Sequence, residues 1–185
     1  MKKPVFTGAA VAIITPMRAD GSVDFEELGR IIDDQIDNGT DAIVICGTTG
    51  ESPTMTDEEH TACIRYAVKK TAGRVPVIAG TGSNDTKYAI WLSRQAQADG
   101  ADALLLVTPY YNKTSQAGLI AHYTAIADAV DLPCILYNVP SRTGCNLTAA
   151  SLKQLAKRPN INAVKEASGN ISQVAEIAAA CGEEL

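Results

Sequence analysis

A chain of 185 residues can bury the core of one domain but is too short for two comfortable ones. It is 46% apolar and 20% charged, carries a net charge of −5, and contains no low-complexity tract. That balance leaves no basic stripe for a nucleic acid, and no apolar run approaches the roughly 20 residues of a membrane-spanning helix.

The N-terminus superficially resembles a secretory leader, with Lys2 and Lys3 followed by an apolar run over residues 5–14. Gly8 interrupts that run and no small-residue cleavage site follows, so a first strand at 11–14 is the better expectation. Further short, β-branched apolar runs lie at 42–46, 75–79, 103–107, 134–137 and 163–165. They recur about every 30 residues and are apolar throughout, as strands buried on both faces are. Helical patterns fill the gaps. Residues 25–38 place Phe25, Leu28, Ile31, Ile32 and Ile36 on one face and end at Asn38-Gly39. Thr56 caps an acidic first turn, Asp57-Glu58-Glu59, and further helices are expected at 84–100, 115–130, 148–157 and 171–181. The last is read as running toward Leu185 without a capping glycine after it.

Strand-then-helix units of this length imply a parallel sheet with right-handed crossovers. A doubly wound open sheet and a (β/α)8 TIM barrel both fit the pattern. The barrel is the expectation: α/β, with the first six of eight units in a single incomplete domain over 1–185. Strands seven and eight and a C-terminal helical region are then absent. Such a piece would expose two sheet edges and would need a further segment, another chain or self-association.

In barrels of this kind the reactive side chains gather where strands end and loops begin. Lys165 closes the apolar run Ala163-Val164-Lys165, which would surround its ammonium with barrel interior and lower its pKa toward a nucleophilic amine. The alternative is a lysine snorkelling outward to a carboxylate such as Glu166. Glu166 itself points to the other face and reads as structural. Tyr137 would sit beside Lys165 as a proton shuttle, or serve as a core tyrosine with its hydroxyl tied to backbone. Gly47-Thr48-Thr49-Gly50-Glu51 offers backbone N–H groups and two hydroxyls to a small carboxylate, and no Walker lysine follows it. Arg142 could clamp a second carboxylate or be an ordinary loop arginine. Gly80-Thr81-Gly82 lacks the third glycine and distal acid of a dinucleotide fingerprint and is discounted. Neither His60 nor His122 has a second ligand at zinc-finger spacing. The scattered Cys46, Cys63, Cys134, Cys145 and Cys181 read as reduced thiols of a cytoplasmic protein.

Taken together, four segments are far more specific than any one of them. Gly47-Thr48-Thr49-Gly50-Glu51-Ser52-Pro53-Thr54, Thr108-Pro109-Tyr110-Tyr111-Asn112-Lys113, Tyr137-Asn138-Val139-Pro140-Ser141-Arg142-Thr143-Gly144 and Val164-Lys165-Glu166-Ala167-Ser168-Gly169 resemble the dihydrodipicolinate synthases in order and spacing. These belong to the wider class I, pyruvate-dependent aldolases, which include the N-acetylneuraminate lyases. The resemblance implies a lyase of lysine and diaminopimelate biosynthesis in which Lys165 forms a Schiff base with pyruvate. The resulting enamine attacks aspartate-4-semialdehyde to give 4-hydroxy-tetrahydrodipicolinate. It further implies a proton relay of Tyr137, Thr48 and Tyr111, with Tyr111 reaching into a neighbouring subunit of a homo-oligomer. Thr49 and Gly47 would hold pyruvate's carboxylate and Arg142 that of the second substrate, with no metal or organic cofactor. In lysine-inhibited members an allosteric pocket uses positions matching His60, Asn84 and Tyr110. Here Asp57 and Tyr88 stand where those members carry a histidine and a glutamate, so lysine inhibition is not expected. The competing readings are a related sugar-acid aldolase and an inactive fragment that only folds or assembles with other chains.

Overall fold

The computed structural model describes residues 2–185. Six strands run in parallel, in sheet order equal to chain order: β1 (Ala10–Ala12), β2 (Ala42–Ile45), β3 (Val77–Gly80), β4 (Ala103–Val107), β5 (Cys134–Asn138) and β6 (Ile161–Glu166). Between and after them come α1 (Phe25–Asp37), α2 (Asp57–Thr71), α3 (Thr86–Ala98), α4 (Gln116–Ala127), the single turn α5 (Pro140–Thr143), α6 (Ala149–Leu155) and α7 (Ile171–Cys181). This is the curled part of a TIM barrel, with β1 and β6 as its two edges.

Two apolar layers follow from the period-2 alternation of each strand. Ile43, Ile45, Val77, Ala79, Leu104, Leu106 and Leu136 face outward against Leu28, Ile32, Ile64, Leu119, Tyr123 and Ile126 of the helices. Val44, Ile78, Ala103, Leu105, Ile135 and Tyr137 face inward, forming a second cluster with Phe6 and Val107. Every longer helix begins on a side-chain cap (Asp24, Thr56, Asp85, Ser115, Thr148 and Asn170), and Thr56 with Glu59 completes a reciprocal box. Such a cap satisfies donors the first turn would otherwise leave open, contributing about 1 kcal/mol.

Several expected boundaries moved. β1 lies at Ala10–Ala12 rather than 11–14, because beyond Ala12 only Ile13 N–H still reaches the neighbouring strand, at Val44 O. β3 starts at Val77, since Pro76 has no N–H for the ladder. β6 is longer than the expected 163–165 and contains a bulge: Cys134 pairs with Ile161 but Ile135 with Ala163, leaving Asn162 over. That extra residue lets Ile161 and Val164 both face the helices while Ala163 faces inward. α7 ends at Cys181, and Gly182 caps it in a right-handed conformation. The N-terminal segment is strapped to the far end of the chain. Lys2 Nζ donates to the carbonyls of Ala156, Arg158 and Ile161 at 2.5, 2.7 and 2.6 Å, and Asn162 Nδ2 donates to Lys3 O.

Candidate active site

The C-terminal ends of the strands assemble the expected side chains on one rim. Tyr137 of β5 and Lys165 of β6 are register partners on the inward face. Their side chains meet, with Lys165 Nζ 4.4 Å from the centre of the Tyr137 ring. Burial and, secondarily, the nearby Arg142 guanidinium lower the Lys165 pKa from its ordinary value. The amine is nevertheless not enclosed. Among the described residues Lys165 is exposed, on the outermost strand of the six-stranded sheet. Of the surroundings expected for this ammonium, the described residues supply the wall formed by the Tyr137 ring.

Tyr137 is buried, with 8% of its surface accessible. The other buried tyrosine, Tyr123, donates its hydroxyl to Leu106 O at 3.4 Å. Among the described residues the Tyr137 hydroxyl has no such tie, so its proton is available to a bound molecule. Tyr137 lines a cavity of about 440 Å³ with Gly47, Thr48, Leu105, Val107 and Tyr110. Thr48 and Thr49 are exposed at the tip of their loop, which two turns hold: Gly50 N–H donates to Gly47 O and Glu51 N–H to Thr48 O, both at 3.1 Å. Thr15 ties that loop to the end of β1 by donating to Gly50 O at 2.8 Å. Thr49 is not part of the cavity wall. Tyr111, 89% exposed and left-handed at φ 64°, stands clear of it and projects into solvent.

Arg142 sits in α5, a turn the sequence reading did not anticipate. Pro140 opens that turn and left-handed Gly144 closes it. Buried Thr143 pins it, accepting from Thr108 Oγ1 at 3.1 Å and bonding the Val139 and Cys145 carbonyls. Pro140 at the first helical position and Gly144 just past the last were the available signal. The same cavity continues past Gly80 to His60, Asn84 and Tyr88. His60 is buried, its Nε2–H donating to Gly80 O at 3.0 Å. Tyr88 donates its hydroxyl to Asp57 at 2.5 Å and stacks on Trp91; burial and that carboxylate push its pKa up to about 12.

The chain matches the dihydrodipicolinate synthetase family over residues 5–185. It belongs to that family. Members similar to it include a 4-hydroxy-tetrahydrodipicolinate synthase of Lachnoclostridium phytofermentans, 62% identical over 184 residues, which are 98% of this chain and 62% of that protein. Among solved structures, the dihydrodipicolinate synthase of Aquifex aeolicus superposes with a TM-score of 0.95 at 49% identity, covering 97% of this chain and 61% of that one. The chloride-inhibited enzyme of Acinetobacter baumannii, solved with pyruvate, superposes at 0.94 with 48% identity over 96% of this chain and 61% of that one. The chain thus spans about three-fifths of the length of the family members it matches. Among its described residues no helix is long and apolar enough to cross a membrane.

Proposed function

We propose that this chain carries the pyruvate site of a class I aldolase, a 4-hydroxy-tetrahydrodipicolinate synthase. The observation that carries the reading is the Lys165 amine lying against the ring of a tyrosine whose hydroxyl is free. A lysine with lowered pKa is a nucleophile at moderate pH, and a phenol beside it can pass protons in both directions.

Lys165 Nζ adds to the ketone carbon of pyruvate, and the carbinolamine loses water to give the imine. The protonated imine withdraws electrons, so a methyl proton leaves and an enamine forms. Its carbon attacks the aldehyde of aspartate-4-semialdehyde. The amino group of that substrate then adds at the imine carbon, displacing Lys165 and closing the ring of 4-hydroxy-tetrahydrodipicolinate. Tyr137 and Thr48 hold and move the protons of these steps, with Tyr111 supplied across the contact of a homo-oligomer. Gly47 and Thr49 present backbone and hydroxyl donors to pyruvate's carboxylate, and Arg142 receives the carboxylate of the second substrate. No metal or organic cofactor is required, because the lysine imine is itself the electron sink. We place the protein in the cytoplasm and assign residues 1–185 to one barrel domain, with strands seven and eight and a C-terminal helical region outside it.

Borohydride reduction in the presence of pyruvate, followed by intact mass and peptide mapping, tests the reading. A single pyruvyl adduct on Lys165, whose formation falls when aspartate-4-semialdehyde is added, is expected. An unmodified chain, or label spread over surface lysines, overturns it. Competition by a sugar-derived aldehyde instead would reassign the second substrate.

A further inference from the structure

Behind the Lys165–Tyr137 pair lies a second pair, one residue further along the same strands. Asn138 and Glu166 are also register partners, and they point the other way, toward α6 and α7. Asn138 is wholly buried and Gln173, in the first turn of α7, nearly so. Asn138 Nδ2 donates to Glu166 Oε2 at 2.9 Å and to Asn146 Oδ1 at 2.8 Å, while its Oδ1 accepts from Leu147 N–H at 2.8 Å. Gln173 Nε2 donates to Glu166 Oε2 at 3.2 Å and to Asn146 Oδ1 at 3.1 Å, and its Oε1 accepts from Asn146 Nδ2 at 2.8 Å. Ser168 N–H donates to Glu166 Oε1 at 2.8 Å, and Gln173 Nε2 also lies 3.5 Å from Leu147 O.

Glu166 accepts three hydrogen bonds and donates none, an arrangement that favours the ionised carboxylate, which is an acceptor only. Burial alone pushes its carboxyl up, and the bonds from Ser168, Asn138 and Gln173 outweigh that and leave it lowered. The position matters because the ladder stops here: past Asn138 and Glu166 only Ala167 N–H still reaches across, to Asn138 O. The node therefore holds the frayed ends of β5 and β6 together, and through Asn146 and Leu147 it holds the segment that follows Arg142.

We propose that Glu166 is a positioning residue for imine formation: its carboxylate, bridging Asn138, Gln173 and Ser168, keeps Lys165 seated on the Tyr137 ring. The inference rests on the lysine-imine reading above but can be tested without it. In Glu166→Gln no orientation of the amide satisfies all three donors, so the strand ends part. A displacement of about 1 Å at a reacting group typically lowers rate by up to about 100-fold. The exchange Asn138→Asp with Glu166→Gln restores the side-chain pattern, losing only the long Gln173 contact to Leu147 O. If Asn146 and Gln173 both turn their amides over, every donor–acceptor pair among the four side chains is kept with its direction reversed.

Two measurements on the full chain decide the matter. The ε-methylene NMR signal of Lys165, shifted upfield by the Tyr137 ring, needs no substrate. It should move toward the free-lysine position in Glu166→Gln and return in the exchange variant. The rate of borohydride-trapped pyruvate adduct should fall 10- to 100-fold and recover in the same way. A purely structural Glu166 would lower the melting temperature and leave both readouts of the folded fraction unmoved. Should Glu166→Gln not fold, Gln173→Met, which removes one donor and keeps the carboxylate, should shift the methylene signal part-way. A Lys165 signal indifferent to these variants overturns the proposal. A signal that responds while even the parent traps no pyruvate sinks the aldolase reading instead and leaves the positioning role standing.

Discussion

Replacing Gly80 by alanine probes the closest backbone approach in the site. The added methyl would lie 2.2 Å from the carbonyl oxygen of Cys46, 2.7 Å from its carbonyl carbon and 3.1 Å from Gly47 N. Gly80 is not left-handed, so the conflict is purely steric. All three opposing atoms are backbone, so no side chain can swing aside. Reaching an ordinary contact of 3.4 Å requires β3 and the Cys46–Gly47 peptide to separate by about 1 Å, and overpacking of this kind costs about 1–3 kcal/mol. For a chain of this size about 2 kcal/mol lowers the melting temperature by about 4–8 °C. The peptide that yields carries Gly47 and Thr48, and Gly80 O accepts the His60 bond, so the cavity wall yields with it. Thermal melts should show the drop, and pyruvate trapping should slow by up to about 100-fold. A melting temperature within about 1 °C of the parent, with trapping unchanged, would refute this account of the β2–β3 packing.

Lys165→Met should abolish the trapped adduct while barely moving the melting temperature, because the side chain sits at an exposed edge. Trapping by the parent should rise with pH and level off below the ordinary lysine value of 10.5. Arg142→Ala removes one of the two causes of that lowering, so the profile should shift to higher pH; an unshifted profile would exclude coupling between the two cations. The lowered lysine also means that the unfolded chain binds more protons just below pH 10.5, so its unfavourable contribution fades as pH rises through that window. His60 and His122, both held below 6.5 chiefly by burial, act in the acid range. They are neutral in the fold and take up protons on unfolding, so melting temperature should fall as pH drops below about 6.5, and His122→Asn should flatten part of that slope. Added L-lysine should leave the melting temperature unchanged, since the Tyr88 hydroxyl is already committed to Asp57; a concentration-dependent rise in calorimetry would contradict this.

The strand–helix rhythm, the barrel class and the rim on which the candidate side chains meet were all readable from apolar runs that end in polar, glycine-containing turns. Tyr137 and Lys165 were expected to be neighbours, and the ladder makes them register partners. What could not be read was anything depending on which surfaces meet. The bulge at Asn162 hid half of β6, because the alternation of Ile161, Asn162, Ala163 and Val164 fits no single face. The sequence of β6 alone says that Lys165 follows two apolar residues, whereas its exposure depends on the strands packed beside it. The node of Asn138, Asn146, Glu166 and Gln173 joins positions up to 35 apart. Each is an unremarkable polar residue alone, and only the fold makes them mutual partners.

The Lys2 clasp bears on when the fold can close. Its ammonium leaves water for three carbonyls that lie 154 to 159 positions away. Drawing together ends so distant costs about 4–5 kcal/mol in chain entropy, beyond a constant term. As the polypeptide leaves the ribosome, Lys2 gains its first carbonyl partner when Ala156 emerges and its last when Ile161 does. The Lys2 clasp can thus form only after residues 156–161 are made, and a tag fused directly ahead of Lys2 would compete with it.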